Sequence, residues 1–286
     1  MAIPHRTGRC ASGDVKLFYR HLGAPGATPL LFVHGLSYFS YDWLEVAQAL
    51  AADREAVCMD MRGFGDSEWS AARDYSVPTM AADIAHLLDH LGWPRAIVFG
   101  HSMGGRSAAY FAAKNPSRAA GLVLVDYSPD NAPAGAKRTA ETVGGTPDAF
   151  ASVDEAMRYF KAGPDKHARF EAYLAPAPGG LAVKRDPHFR DQFRKILATG
   201  ERPKLGVDMW QVLADVQCPA LVVRGARSDM FAPETVAKMQ AANARMRVVD
   251  VDAGHNVAGE NPAGFLAAVR PFLTSLQETR HEYARH

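Results

Sequence analysis

The sequence predicts an α/β protein built on a doubly wound, mostly parallel β-sheet. Short apolar runs alternate with amphipathic helical patterns along most of the 286 residues. A continuous apolar run indicates a strand that is covered on both faces, as strands of a parallel sheet are. Alternation of such strands with helices, joined by right-handed crossovers, gives the doubly wound arrangement.

The predicted elements follow one another in order. An alternating pattern over residues 15–20 predicts an early strand, paired as a hairpin with residues 8–11. The parallel strands are predicted over residues 30–33, 56–59, 96–99, 122–125, 220–223 and 247–251. The helices that accompany them are predicted over residues 41–51, 80–91, 104–114, 233–244 and 262–276.

Residues 128–216 interrupt this alternation. They contain no convincing strand pattern, but they carry three helical patterns, over residues 154–161, 166–174 and 186–198, separated by proline and glycine. We expect this insertion to form a helical cap over the carboxyl edge of the sheet, on a core made of residues 1–127 and 217–286. A separate interaction domain is the alternative.

The composition is that of a soluble globular protein, with 48% hydrophobic and 22% charged residues. Lys plus Arg (32) nearly balances Asp plus Glu (31), which argues against nucleic acid or a membrane as partner and favours a small molecule. Three isolated cysteines and an amino terminus without an apolar segment predict a cytoplasmic protein. Monomer and homodimer both stay open.

No cofactor is expected. The histidines and cysteines lack the spacing of a metal site, and the glycine-rich segments match neither the dinucleotide fingerprint nor a phosphate-binding loop.

The most specific motif is the hexapeptide Gly100–Gly105, which contains the pattern G-x-S-x-G and lies where a predicted strand meets a predicted helix. Such a strand–turn–helix presents its serine as a nucleophile on a sharp turn, where only small residues can flank it. We therefore expect Ser102 to be a catalytic nucleophile.

A serine nucleophile requires a base, and the base requires a carboxylate that orients it. His255 follows the last predicted strand and is expected to be the base. Chain order favours Asp229, which follows the strand at 220–223, as the carboxylate. Asp126 also ends a strand and competes for this role, and Asp252 ranks last.

The oxyanion of the reaction requires two backbone N–H groups. Met103, directly after the nucleophile, is expected to supply one, and Leu36, in the loop after the strand at 30–33, the other. His34 in the same loop is expected to be structural.

The chain resembles the α/β-hydrolase superfamily, in its serine-esterase branch with an inserted helical cap. The resemblance rests on His34-Gly35, the segment Asp60–Ser67, the turn at Ser102, Asp229 and Gly254-His255, in that order. It implies the α/β-hydrolase fold and acyl transfer to water through an acyl-enzyme. Dehalogenases and epoxide hydrolases of this superfamily carry aspartate where this chain has Ser102.

Candidate substrate-binding residues are aromatic: Tyr38, Phe39, Tyr127, Phe160 and Trp210. They suggest a small or medium, fairly apolar carboxylic ester, although a substrate that carries a carboxylate stays open. The alternatives in the same fold are a lactonase, an amidase, a carbon–carbon bond hydrolase, a cofactor-free perhydrolase related to the non-haem haloperoxidases, and a ligand receptor with slow turnover.

Overall fold

The computed structural model describes residues 3–130 and 132–283, with side chains as far as Gln277. The strands are β1 (Arg6–Ser12), β2 (Val15–Leu22), β3 (Leu30–Val33), β4 (Ala56–Met59), β5 (Ala96–His101), β6 (Ala119–Val125), β7 (Leu174–Ala177), β8 (Gly180–Val183), β9 (Ala220–Gly225) and β10 (Met246–Val251). The helices are α1 (Leu44–Leu50), α2 (Val77–His90), α3 (Met103–Lys114), α4 (Pro133–Gly144), α5 (Val153–Tyr159), α6 (His167–Tyr173), α7 (Pro187–Thr199), α8 (Met209–Asp215), α9 (Pro233–Ala242), α10 (Val257–Glu260) and α11 (Pro262–Tyr283). Short 3₁₀ turns cover Ser40–Trp43 and Pro164–Lys166.

Eight strands form one sheet in the order β1-β2-β4-β3-β5-β6-β9-β10. The pairs β1–β2 and β2–β4 are antiparallel, and all the other pairs are parallel. Along β3, Leu31 and Val33 pack into the hydrophobic cluster on one face, whereas Leu30 and Phe32 pack into the cluster on the other. Both faces are therefore covered, and the predicted doubly wound, mostly parallel sheet is confirmed.

The chain between β6 and β9 forms five helices, α4 to α8, and the separate hairpin β7–β8. The hairpin was not expected, because each of its strands is only four residues long and one of them contains Pro176. Helix α8 packs against α3 and α9, in the helical layer beside the sheet, although the sequence analysis assigns it to the insertion. No described helix combines the length and the apolar character needed to cross a membrane.

The loop after β4 is held by buried charges. Asp60 accepts hydrogen bonds from the backbone N–H groups of Ser40 (2.6 Å) and Asp66 (2.8 Å). The guanidinium of Arg62 donates two hydrogen bonds of 2.7 Å to the carboxylate of Asp83 on α2. The Arg62 and Asp83 side chains are 3% and 1% exposed, so this ion pair fastens the loop to α2 in a nearly dry environment.

Asp83→Asn is expected to lower the free energy of unfolding by about 3 kcal/mol, because it leaves a buried guanidinium without its main counter-charge. Urea unfolding followed by circular dichroism measures the change. Asp89→Asn is the matched control, since it breaks a 2.7 Å ion pair to Arg118 in which Asp89 is 62% exposed. The control should change stability by less than about 1 kcal/mol. Equal effects of the two variants would contradict the assignment of Arg62–Asp83 as the stabilising pair.

Candidate active site

Ser102 occupies a sharp turn between β5 and α3. Its backbone has φ 51° and ψ −117°, in a region that L-residues rarely adopt. The turn is so tight that a Cβ atom at Gly100 would lie 2.6 Å from the carbonyl oxygen of Gly104, and one at Gly104 would lie 2.4 Å from that of His34. The strand–turn–helix placement predicted for this motif is therefore present, with the serine in a strained backbone conformation.

His255 lies in the loop after β10 and bridges two side chains. Its Nε2 atom is 3.0 Å from Ser102 Oγ, and its Nδ1 atom is 2.6 Å from Asp126 Oδ2. A carboxylate can only accept, so Nδ1 carries the proton and Nε2 is left to accept from the serine hydroxyl. The structure thus joins Ser102, His255 and Asp126 in one row of hydrogen bonds.

The prediction that Asp229 orients His255 is wrong in this structure. The carboxylate next to the histidine is that of Asp126, which directly follows β6 and is 2% exposed. Its Oδ1 atom accepts the N–H of Gly225 at 2.8 Å, and its Oδ2 atom accepts the hydroxyl of Ser228 as well as His255. Both oxygens of this buried carboxylate are thereby hydrogen-bonded, by three donors in all.

Asp229 is instead bound by the inserted helices. Arg138 of α4 donates hydrogen bonds of 2.6 and 2.7 Å to its two oxygens, and this guanidinium lowers the pKa of Asp229. The N–H of Gly135 binds the Asp229 carbonyl at 2.9 Å. Asp229 lies four residues beyond the end of β9, so it is far enough from the sheet for α4 to bind it. Asp252 lies 83% exposed and pairs with Arg227.

His101 is a neighbour of this row that the sequence analysis did not single out. Its Nε2 atom donates to the carbonyl of His255 at 2.9 Å, and the two rings lie 4.7 Å apart. Burial, together with the nearby His255, lowers the pKa of His101 well below its ordinary value. A neutral His101 therefore fixes the backbone of His255 from the position just before the serine.

Two backbone N–H groups near Ser102 are unused. Met103 is the first residue of α3, where no intrahelical acceptor exists, and Leu36 lies in the loop after β3. Neither N–H takes part in a hydrogen bond among residues 3–130 and 132–283. The loop approaches the serine closely, since a Cβ atom at Gly35 would lie 3.2 Å from Ser102 Cβ.

His34 fixes the loop after β3 by hydrogen bonds on both of its ring nitrogens. It is fully buried, its Nε2 atom accepts the N–H of Met61 at 2.9 Å, and its Nδ1 atom donates to the carbonyl of Gly35 at 2.7 Å. Burial lowers its pKa, in agreement with a neutral ring that has one donor and one acceptor.

A cavity of about 1440 Å³ opens above Ser102, and its wall includes Leu36, Met103 and His255. Of the five aromatic residues predicted to bind substrate, three line it: Tyr38, Tyr127 and Phe160. Among the described residues, no group of His, Cys, Asp or Glu could hold a metal ion.

Phe39 and Trp210 do not line the cavity, and their prediction as substrate contacts is wrong. Phe39 is fully buried and stacks on Tyr41 at 5.6 Å between ring centroids, because it completes the hydrophobic cluster of the insertion. Trp210 lies on α8, where its ring packs against the main core and its Nε1 donates to Asp130 at 3.1 Å.

Arg169 of α6 joins the insertion to the loop that contains Leu36. Its guanidinium donates to both carboxylate oxygens of Asp42, at 2.8 and 3.0 Å, and to the carbonyl of Ser37 at 3.1 Å. It also lies 4.4 Å from the centre of the Tyr173 ring and 5.3 Å from that of Phe39. With the Phe170 ring at 5.0 Å, one cation thus contacts three aromatic rings, a carboxylate and a backbone carbonyl.

Comparison with known proteins shows that this chain belongs to the α/β-hydrolase fold family. The family profile described as alpha/beta hydrolase fold matches residues 28–176. The chain is 33% identical over 282 residues to the 3-hydroxybutyrate-oligomer hydrolase of Cupriavidus necator, covering 91% of this chain and 94% of that one. It is 26% identical over 292 residues to the fluoroacetate dehalogenase of a Burkholderia species, covering 90% of each. Among solved structures, E-2-(acetamidomethylene)succinate hydrolase matches with a TM-score of 0.82 and 26% identity, over 95% of this chain and 100% of that one.

The His255–Asp126 hydrogen bond should give a strongly downfield proton resonance from Nδ1–H, because a short bond to a buried carboxylate deshields this proton and protects it from exchange. Proton NMR at low temperature should show the signal in the wild type. It should disappear in Asp126→Asn and persist in Asp229→Asn. Loss of the signal in Asp229→Asn with retention in Asp126→Asn would reverse the assignment.

Proposed function

Because the chain belongs to the α/β-hydrolase fold family, we propose that it is a serine hydrolase that cleaves a carboxylic ester through an acyl-enzyme. The observation that carries the proposal is the hydrogen-bonded row of Ser102, His255 and Asp126 at the floor of a large cavity. The family includes enzymes of other chemistry, as the dehalogenase relative illustrates. A serine at the turn favours acyl transfer, since its hydroxyl becomes a nucleophile when an adjacent base removes the proton.

In the proposed reaction, His255 Nε2 accepts the proton of Ser102 as Oγ attacks the ester carbonyl. The resulting imidazolium is stabilised by Asp126, whose carboxylate is 2.6 Å from Nδ1. Collapse of the tetrahedral intermediate breaks the ester bond, and His255 returns its proton to the leaving alcohol. Water then attacks the acyl-enzyme with His255 again as base, which releases the acid and restores Ser102.

The N–H groups of Leu36 and Met103 are proposed to hold the oxyanion. Both are free of other acceptors among the described residues, and the loop with Leu36 passes directly over Ser102. Donors that are fixed before the reaction stabilise the developing negative charge without having to reorganise.

The substrate is proposed to be a small or medium ester of largely apolar character, enclosed by the helices of the insertion acting as a cap. Tyr38, Tyr127 and Phe160 supply aromatic wall. The cavity of about 1440 Å³ is larger than a single short ester requires. The relative from Cupriavidus necator, a 3-hydroxybutyrate-oligomer hydrolase, makes short linear oligoesters of hydroxy acids the first substrates to test.

Ser102→Ala and His255→Ala are each expected to lower kcat by roughly 10⁴-fold or more, as loss of a member does in other serine hydrolases. Asp126→Asn should have an effect of about the same order, because His255 would lose the acceptor that sets its tautomer. Hydrolysis of p-nitrophenyl butyrate measures all three.

Asp229→Asn is the matched control for Asp126→Asn and should reduce kcat by less than about tenfold, since its partner is a half-exposed arginine. Thermal unfolding must show that both variants fold. An Asp229→Asn variant as impaired as Asp126→Asn would contradict the proposed roles.

A series of p-nitrophenyl esters from acetyl to palmitoyl, together with 3-hydroxybutyrate dimer and trimer, tests the activity itself. Rapid turnover with a clear chain-length optimum, abolished in Ser102→Ala, would support the proposal. Negligible turnover of every ester by folded protein would overturn it in favour of amide, lactone or carbon–carbon bond cleavage, or of a binding role.

A further inference from the structure

Arg106 lies one helical turn after the serine, on the same face of α3. Its backbone N–H is 3.4 Å from the carbonyl of Ser102, in the i to i+4 relation that brings side chains onto one face. The side chain is partly buried and lines the same cavity as Ser102 and His255. A positive charge is therefore built into the cavity wall close to the serine.

This charge has no partner in the described part of the chain. Among residues 3–130 and 132–277, the Arg106 guanidinium makes neither a hydrogen bond nor an ion pair. Two other arginines of the same wall are neutralised, Arg138 by Asp229 and Arg169 by Asp42. Burial lowers the pKa of Arg106 from its ordinary value. A guanidinium in a cavity wall that lacks a protein counter-ion is free to pair with an anionic ligand that enters the cavity.

Tyr127 is a second unpartnered group beside it. The residue follows Asp126, and its ring packs so closely against α3 that a Cβ atom at Gly105 would lie 2.6 Å from Tyr127 Cβ. Its hydroxyl is buried and has no hydrogen-bond partner among the described residues, although the side chain lines the cavity. Burial raises the pKa of Tyr127, and the nearby Arg106 opposes this shift. The hydroxyl thus stays a neutral donor at physiological pH.

We infer that Arg106 and Tyr127 together bind a carboxylate of the substrate, so that the ester cleaved at Ser102 is itself an acid. The guanidinium offers two parallel N–H donors, which match the two oxygens of a carboxylate, and the phenol adds a third donor. Since Arg106 is one turn from Ser102, the carboxylate lies within a few bonds of the scissile ester. The inference rests on the proposed ester hydrolysis and specifies its substrate class.

The test compares matched substrates that differ only in this charge. The first pair is 3-(butyryloxy)butanoate and its primary amide, which has the same shape without the charge, and both are followed by release of butyrate. The second pair places the charge on the acyl side: ethyl hydrogen glutarate and ethyl glutaramate, followed by release of ethanol. The enzymes are wild type, Arg106→Met, Arg106→Lys and Tyr127→Phe.

In at least one pair, wild type should prefer the acid, and Arg106→Met should lower kcat/KM for that acid by about 10- to 100-fold, as expected for loss of a charged hydrogen bond. The amide should change by less than about threefold, which also shows that the variant is folded. Arg106→Lys should recover part of the preference, because it restores the charge without the planar pair of donors. Tyr127→Phe should act in the same direction with a smaller effect.

Arg202→Met is the control, since it removes an exposed positive charge from the same cavity and should leave the preference for the acid unchanged. Equal use of acid and amide by wild type in both pairs, or equal losses on acid and amide in Arg106→Met, would overturn the inference and leave Arg106 hydrated by cavity water. Failure of the proposed function is recognised separately. In that case wild type would hydrolyse none of the four esters, or Ser102→Ala would retain the activity.

Discussion

A carboxylate that is shielded from water needs hydrogen-bond donors around it. At the carboxyl edge of this sheet, the buried carboxylate of Asp126 has this need. Its oxygens accept from Gly225 at the end of β9, from Ser228 in the loop after β9, and from His255 in the loop after β10. Strand register brings these loops together: Val125 of β6 is paired with Val223 of β9, and Gly225 of β9 with Val251 of β10. The position of His255 is thus a consequence of sheet pairing, because any slip of β9 or β10 would leave a buried charge unmatched.

The serine belongs to the same arrangement through β6. The N–H of Ser102 donates to the carbonyl of Val125 at 3.1 Å, and Val125 is the residue directly before Asp126. Ser102 and Asp126 are therefore both held at the end of β6. The peptide unit between Val125 and Asp126 binds Ser102 through its carbonyl and continues into Asp126. His255 bridges them with its two ring nitrogens, and His101 holds its backbone. None of these hydrogen bonds, among the described residues, involves an inserted helix.

Sequence reasoning succeeds here where the evidence is local. The strand–turn–helix at Ser102 can be recognised because the glycines around it are required by contacts within a few residues. The choice between Asp126 and Asp229 cannot be made in this way, since each follows a strand. The choice depends on the backbone conformation of Asp126, whose φ is 44°, and this conformation cannot be read from the residue type. It also depends on Arg138, which binds Asp229 from 91 positions away in the sequence.

The same limit explains the other differences. Phe39 is aromatic and lies close to the predicted oxyanion loop, as a substrate contact would. Its ring nevertheless packs in a cluster with residues of the insertion that lie more than a hundred positions away in the sequence. Arg106 shows the converse. The sequence analysis does not single it out, and only the three-dimensional structure places its side chain in the cavity wall without a partner among the described residues.

Arg169 couples one part of the cavity wall, helix α6, to the loop that contains Leu36. Through Asp42 and Ser37 it joins α6 to the loop that carries the Leu36 N–H, so a displacement of α6 would shift that N–H relative to Ser102. Residues 200–206, by contrast, are exposed throughout, include Arg202 and Lys204 of the cavity wall, and make no hydrogen bond to the loop with Leu36 among the described residues. A displacement of residues 200–206 would therefore leave the Leu36 N–H in place, whereas a displacement of α6 would be transmitted through Arg169 to the group that is proposed to hold the oxyanion.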